Sequence, residues 1–302
     1  MKCVLITGAT SFIGKNLVER LYNEEHKIYA LVRPSSNNFT RLENCRNLNI
    51  VNLDISEISA LHKYVDRIDL CYHLAWDGTR NDSRYDANLQ KSNYKYSIDT
   101  YEVVKMLGCH VFVGVGSQAE YGFCQNEITE STEPNPNTEY GRYKLATCKK
   151  LIELGERDSI RVIWGRVFSI YGKGDYENTL LMSSIRKMLN NDPIDMTEGT
   201  QYWNYLYVED LAKILVKLAY DNSARGIYNL ASNDTRMLKD YILELKEIIK
   251  SKSKINFGAV PYRSEGKVSI MPNIEKLSRI YDIKNLSAFK NNIASMVLAG
   301  NF

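Results

Sequence analysis

A chain of 302 residues, 44% hydrophobic and 25% charged, has ordinary globular composition and the length to bury a large core in one big domain or two moderate ones. A formal net charge of +3 is close to neutral and removes the electrostatic case for a nucleic-acid or anionic-membrane partner. Six cysteines (Cys3, Cys45, Cys71, Cys109, Cys124, Cys148) fall without C-x-x-C spacing, so free thiols are expected, with no disulfide framework and no metal site.

The first apolar run, Cys3–Thr7, reads as a strand; Thr7, Gly8, Thr10 and Ser11 interrupt it too early for a signal-peptide core. No stretch approaches the ~18 apolar residues that span a bilayer, and a cytoplasmic protein is expected. The strand runs into Thr7-Gly8-Ala9-Thr10-Ser11-Phe12-Ile13-Gly14, which opens a helix over Gly14–Leu21. Glycines here permit a tight turn and let backbone amides at a helix N-terminus approach a pyrophosphate. Gly8, Ser11, Phe12, Ile13 and Gly14 are therefore expected cofactor contacts, with Ser11 where a third glycine commonly stands.

A second strand, Ile28–Val32, ends at Arg33. An acid at that place would hold a ribose 2′-hydroxyl, whereas a guanidinium pairs with a 2′-phosphate, so NADP(H) is favoured over NAD(H). A third, Leu48–Leu53, leads to Asp54, an acceptor for an adenine amino group, and Ile55 beside it. Further apolar runs at Leu70–Leu74, His110–Val115 and Ile160–Trp164 are separated by helical patterns near Ser92–Met106 and Tyr140–Glu156. Such alternation predicts an α/β fold, a doubly wound parallel sheet with helices on both faces.

Tyr140 and Lys144 are four apart, on one face of their helix. An ammonium beside a phenol favours the phenolate and lets the tyrosine pass a proton to or from a carbonyl or alcohol oxygen. After about Gly172 the pattern shifts to helices near Thr179–Leu189, Val208–Tyr220 and Met237–Lys252, joined by irregular segments with Pro193, Pro261 and Pro272. This predicts a smaller, mainly helical C-terminal substrate domain (172–203 and 233–302) beside a dinucleotide-binding domain (1–171, with about 204–232 returning to it), the ligand cleft lying between them.

Together these residues resemble the extended short-chain dehydrogenase/reductase family, the NAD(P)-dependent epimerase/dehydratase proteins that act on nucleotide sugars. T-G-A-T-S-F-I-G is similar to the family's T-G-x-x-G-x-x-G loop, and His73-Leu74-Ala75-Trp76 to the H-L-A-A segment that lines the cofactor. Asn93, Gly116-Ser117-Gln118-Ala119-Glu120-Tyr121-Gly122, Tyr140-x-x-x-Lys144, Arg166-Val167-Phe168-Ser169-Ile170-Tyr171-Gly172 and Gly258-Ala259-Val260-Pro261-Tyr262-Arg263 continue the likeness in order. The resemblance implies a Rossmann-like fold and a homodimer built from the helix before strand five and the Tyr-x-x-x-Lys helix. It implies Tyr140 as acid/base on a sugar oxygen, Lys144 lowering its pKa and holding the nicotinamide ribose, and Ser117 bonding the same oxygen. Leu74, Ala75, Asn93 and Val167 join the cofactor site; Trp76, Glu120, Ser169 and Arg263 are expected substrate contacts, Arg263 at the diphosphate.

Three departures bear on the reaction. Gln118 and Ala119 stand where the family's 4,6-dehydratases carry Asp and Glu, and neither titrates usefully, which disfavours water elimination. Trp203-Asn204-Tyr205 replaces the R-D-F or R-D-Y of many epimerases, and Ser169 replaces an Asn. The favoured reading is NADPH-dependent reduction of a nucleotide-linked 4-keto-6-deoxy sugar. The alternatives are a nucleotide-sugar 4-epimerase that retains NAD and a non-catalytic NADP(H) sensor or scaffold.

Overall fold

The computed structural model describes residues 1–22, 26–36, 42, 48–262 and 266–300. Its centre is a seven-stranded sheet made of β1 (Cys3–Thr7), β2 (Lys27–Val32), β3 (Leu48–Asn52), β4 (Leu70–His73), β5 (Val111–Ser117), β6 (Arg161–Val167) and, after a long excursion, β10 (Gly226–Leu230). Every neighbouring pair is parallel, in the order β10-β6-β5-β4-β1-β2-β3. The order reverses between β1 and β4, and a crevice opens beyond the carboxyl ends of the strands at such a point.

The strands read as near-continuous apolar runs because both faces are covered. Alternate residues of β1 serve different cores: Val4 and Ile6 face the cluster of α1 (Phe12–Tyr22) and α5 (Val208–Tyr220), and Leu5 faces that of α2 (Ala87–Met106) and α3 (Glu139–Asp158). β5 and β6 run further than their apolar stretches suggest, reaching Ser117 and Val167, which are paired. Gly114, Gly116 and Arg166 break the hydrophobic pattern without breaking the ladder.

The rest of the chain forms a third core from α4 (Leu180–Asn190), α6 (Leu238–Ile249) and α8 (Phe289–Leu298). The helices lie near their expected places, and the C-terminal part is mainly helical as expected, with a few strands beside the helices. A three-stranded sheet, β11 (Thr235–Met237)–β9 (Tyr202–Tyr207)–β7 (Ser169–Tyr171), and a pair, β12 (Ile255–Phe257)–β8 (Ile194–Met196), accompany them. Strands this short carry too little alternation to be seen in sequence. A short helix, α7 (Glu275–Ser278), packs on β10. Asn204 on β9 is fully buried and donates to Ser232 O and Thr235 Oγ1, both at 2.9 Å, so this Asn ties the small sheet to the exit of β10. The five described cysteines are free thiols, and no helix among the described residues is long and apolar enough to cross a membrane.

Candidate active site

The turn after β1 is built by its glycines. Gly8 has φ +68°, and a Cβ there would lie 2.8 Å from Ala75 N; a Cβ at Gly14 would lie 2.1 Å from Gly8 O. Ser11 takes the N–H of Gly14 on its hydroxyl at 3.0 Å while its own amide bonds Gly8 O at 3.0 Å. Serine at the usual third-glycine position is thus a helix cap, a role glycine lacks. Phe12 and Ile13 start α1 behind this turn, Ile13 packing on the core.

One cleft gathers most of the expected cofactor residues: Gly8, Ser11, Arg33, Asp54, Ile55, Leu74, Ala75 and Asn93 line it. Its walls fit a dinucleotide: a bare-backbone turn at Gly8, a cation at Arg33 and a carboxylate at Asp54, with Gly14 buried directly beneath the turn. Asp54 caps the 3-10 segment Ile55–Lys63, accepting from Ser56 N at 2.9 Å and Ser56 Oγ at 2.7 Å, and these bonds hold its pKa below the usual carboxylate value. Arg33 lies 3.5 Å from Asp77 with both side chains more than half exposed, a pairing that contributes little and leaves the guanidinium available. Asn93 spends both ends of its amide on the Asp77 backbone (Oδ1 from N at 3.0 Å, Nδ2 to O at 2.8 Å). One turn away on α2, Gln90 accepts from Trp76 Nε1 at 2.7 Å and donates to Gly78 O and Ser83 O. This pair pins the loop after β4; Gln90 belongs to no motif and escapes a sequence reading.

Trp76 joins this cleft to the second half of the site. Its ring meets Tyr140 edge to face with centroids 6.2 Å apart, and Lys144 Nζ sits 3.8 Å from its centroid. Ser117, Tyr140 and Lys144 converge here. Ser117 ends β5; Tyr140 and Lys144 lie one turn apart on α3, whose N-cap, Thr138, accepts from Gly141 N at 3.1 Å. Val167, at the end of β6, is buried beside Ser117.

The electrostatics differ from the sequence expectation. Burial pushes the Tyr140 pKa up; a hydrogen bond to Ser117 and the charge of Arg84 pull it down without cancelling that rise, and Glu120 adds to it. Lys144 Nζ donates to Val115 O at 2.6 Å and lies 6.0 Å from the Tyr140 ring centre. Burial draws Lys144 itself down to about 7, against an opposing push from Glu120. Beneath it, His73 bonds Thr7 Oγ1 at 3.0 Å and Ser97 Oγ at 2.9 Å. Burial first, then Lys144, takes His73 to about 3, so its ring is neutral.

Glu120 is not a substrate contact. The chain turns into a 3-10 segment, Gln118–Glu120, directly after Ser117, so the Glu120 carboxylate folds back over the Ser117 amide as in a capping box. It is fully buried and paired with Arg166. Gln118 and Ala119 bring no carboxylate to the site. Ser169 is half-buried in β7 opposite Tyr205. Trp203 is half-buried against the cluster of Tyr121, Phe168 and Ile270. Arg263 lies outside the described residues. Arg84, which no motif signals, stands over the Tyr140 ring at 4.8 Å, and Arg80 stands over Tyr176 at 4.3 Å, bringing the loop after β4 against the C-terminal part.

A parallel sheet in this order, a glycine turn at its switch point and a Ser–Tyr–Lys group at the strand ends define an oxidoreductase with a Rossmann-like nucleotide-binding fold. The chain belongs to the NAD dependent epimerase/dehydratase family, which it matches over residues 4–231. It is 26% identical to CDP-abequose synthase of Salmonella muenchen over 92% of each chain. It is 22% identical to dTDP-6-deoxy-L-talose 4-dehydrogenase (NAD(+)) of Aggregatibacter actinomycetemcomitans, over 88% of this chain and 98% of that one. The solved structure of UDP-glucose 4-epimerase with UDP-glucose from Thermotoga maritima superposes with TM-score 0.87 at 18% identity, covering 98% of this chain and 97% of the other.

Proposed function

We propose that this enzyme is an NADPH-dependent reductase of a nucleotide-linked 4-keto-6-deoxy sugar, with Tyr140 as the proton donor to the C4 oxygen. The observation that carries the reading is the make-up of the reacting corner. Ser117 acts on Tyr140, lowering its pKa, beside Lys144, while Gln118 and Ala119 offer no acid or base and the nearby Glu120 is locked to Arg166. That corner can move one proton to an oxygen and lacks groups to expel water. One relative supports the reading: it is named as a dehydrogenase acting at position 4 of a 6-deoxy nucleotide sugar, whose reverse is 4-keto reduction.

The dinucleotide, when bound, supplies the hydride that adds to C4. The protein's own residues do the rest. Gly8, Ser11 and Gly14 cradle the pyrophosphate, Asp54 accepts from the adenine amino group, and Arg33 pairs with the 2′-phosphate. Ser117 holds the carbonyl oxygen, and Tyr140 gives it a proton as the alkoxide develops. A phenol with a raised pKa keeps that proton until then. Lys144 holds the nicotinamide ribose; Trp76, Ser169 and Arg263 bind the sugar nucleotide. Two chains pair through α2 and α3, which pack side by side.

Mixing the protein with NADPH and a panel of 4-keto nucleotide sugars, and following nicotinamide absorbance, tests this. Oxidation with at least one member is expected. No consumption with any member, alongside NAD that stays bound through purification, would favour the NAD-retaining 4-epimerase reading instead.

A further inference from the structure

Once Glu120 is withdrawn from the substrate contacts, a fully buried carboxylate three residues from Ser117 has no assigned task. Its oxygens are fully engaged. Oε1 accepts from Ser117 N and from Trp164 Nε1, each at 2.9 Å, and Oε2 accepts from Arg166 Nε at 2.7 Å. Two glycines make the room. A Cβ at Gly116 would lie 2.2 Å from both Glu120 Oε1 and Trp164 Nε1, and one at Gly114 would lie 2.5 Å from the Trp164 ring. Gly114, Gly116, Glu120, Trp164 and Arg166 are therefore one unit, spread over β5, the turn after it and β6. A buried carboxylate–guanidinium pair gives little net stability over apolar packing, so stability alone does not account for it.

We propose that Glu120 is a positioning residue for proton transfer: fixed by Arg166 and Trp164, it clamps the Ser117 amide so that the Ser117 hydroxyl faces Tyr140, and it is the buried anion against which Lys144 carries its charge. The groups around it are Tyr140, Lys144 and Cys148 from α3, Arg166 from β6 and Tyr121 in its own turn. Arg84 acts on Tyr140 from the loop after β4, and the neutral His73 lies beneath Lys144. The Glu120 carboxylate bears on both Tyr140 and Lys144, pushing each pKa up. Burial alone would leave Lys144 mostly uncharged at neutral pH; the carboxylate offsets this.

The inference rests on the reading of Tyr140 and Lys144 as the proton-transfer pair, so its test includes an arm that needs no substrate. In protein carrying 13Cε-lysine, the Lys144 resonance is assigned by its loss in Lys144→Arg, and its titration midpoint is followed by NMR. Glu120→Gln combined with Arg166→Met removes both buried charges together and leaves no unpaired guanidinium. Glu120 pushes the Lys144 pKa up, so the midpoint of the double variant should fall relative to Arg166→Met alone, in which the carboxylate stays. NADPH affinity, read by its fluorescence, should stay within about threefold, while kcat on the 4-keto sugar falls at least about tenfold with KM little changed. An unmoved Lys144 midpoint, or native kcat, overturns the proposal. If the double variant does not fold, Glu120→Asp decides: charge kept and reach lost predicts an unmoved midpoint with lowered kcat, and native kcat there refutes the positioning role. Should no nucleotide sugar be turned over at all, the midpoint still answers.

Discussion

Two turns leave the carboxyl edge of the sheet and are built on opposite plans. After β1, Ser11 caps Gly14, Gly14 packs closely under Gly8, and the bare backbone of Gly8 lines the cleft. After β5, Ser117 likewise caps Ala119, at 3.2 Å, but the turn closes over a buried carboxylate, an indole and a guanidinium. The first is a surface for a ligand, held by local geometry. The second is an internal frame that aims one hydroxyl, held by side chains from β6. Glycine serves both: at Gly8 and Gly14 it gives close backbone approach, and at Gly114 and Gly116 it gives space to a neighbour.

The comparison can be broken one turn at a time. Gly14→Ala places a Cβ 2.1 Å from Gly8 O, which must move; NADPH affinity should fall at least about tenfold in a fluorescence titration, with turnover falling alongside. Gly116→Ala crowds Glu120 and Trp164 at 2.2 Å; it should lower stability by about 1–3 kcal/mol in denaturant unfolding and reduce turnover, yet leave NADPH affinity within about threefold. If the two variants lose affinity and turnover in the same proportion, the division of labour is wrong. Arg33→Glu sharpens the ligand side further: NADPH should bind at least about tenfold more weakly and NADH nearly as before.

A smaller effect concerns Lys144, whose pKa is about 7 in the fold against 10.5 for a free lysine. Between these values the unfolded chain holds more protons than the folded one, so this residue makes stability rise with pH, by up to about 1.4 kcal/mol per unit; below the folded value its contribution is flat. Denaturant midpoints of native protein and Lys144→Met at about pH 7 and about pH 9 should therefore differ in slope, the variant gaining less on the alkaline side.

What the chain reveals before folding follows the same division. The turn after β1 and the Tyr140–Lys144 pair are legible because glycine spacing and helical periodicity are local properties. Glu120 is misread, since a continued strand would point it elsewhere and its partners Trp164 and Arg166 lie on a strand far along the chain. Arg84 and Gln90 act from the loop after β4 and from α2 without any spacing that marks them. The short strands β7, β8, β11 and β12 are held by their neighbours more than by their own three residues each. The raised pKa of Tyr140 is hidden as well, because it follows from burial depth, which is set by packing that no spacing encodes.

The most direct test of the account is Tyr140→Phe, which removes the phenolic proton and keeps the ring against Trp76. With NADPH and a 4-keto-6-deoxy nucleotide sugar that the native enzyme reduces, the account predicts a fall in kcat of about 10²–10⁴-fold with NADPH binding retained. Native turnover in that variant would contradict it.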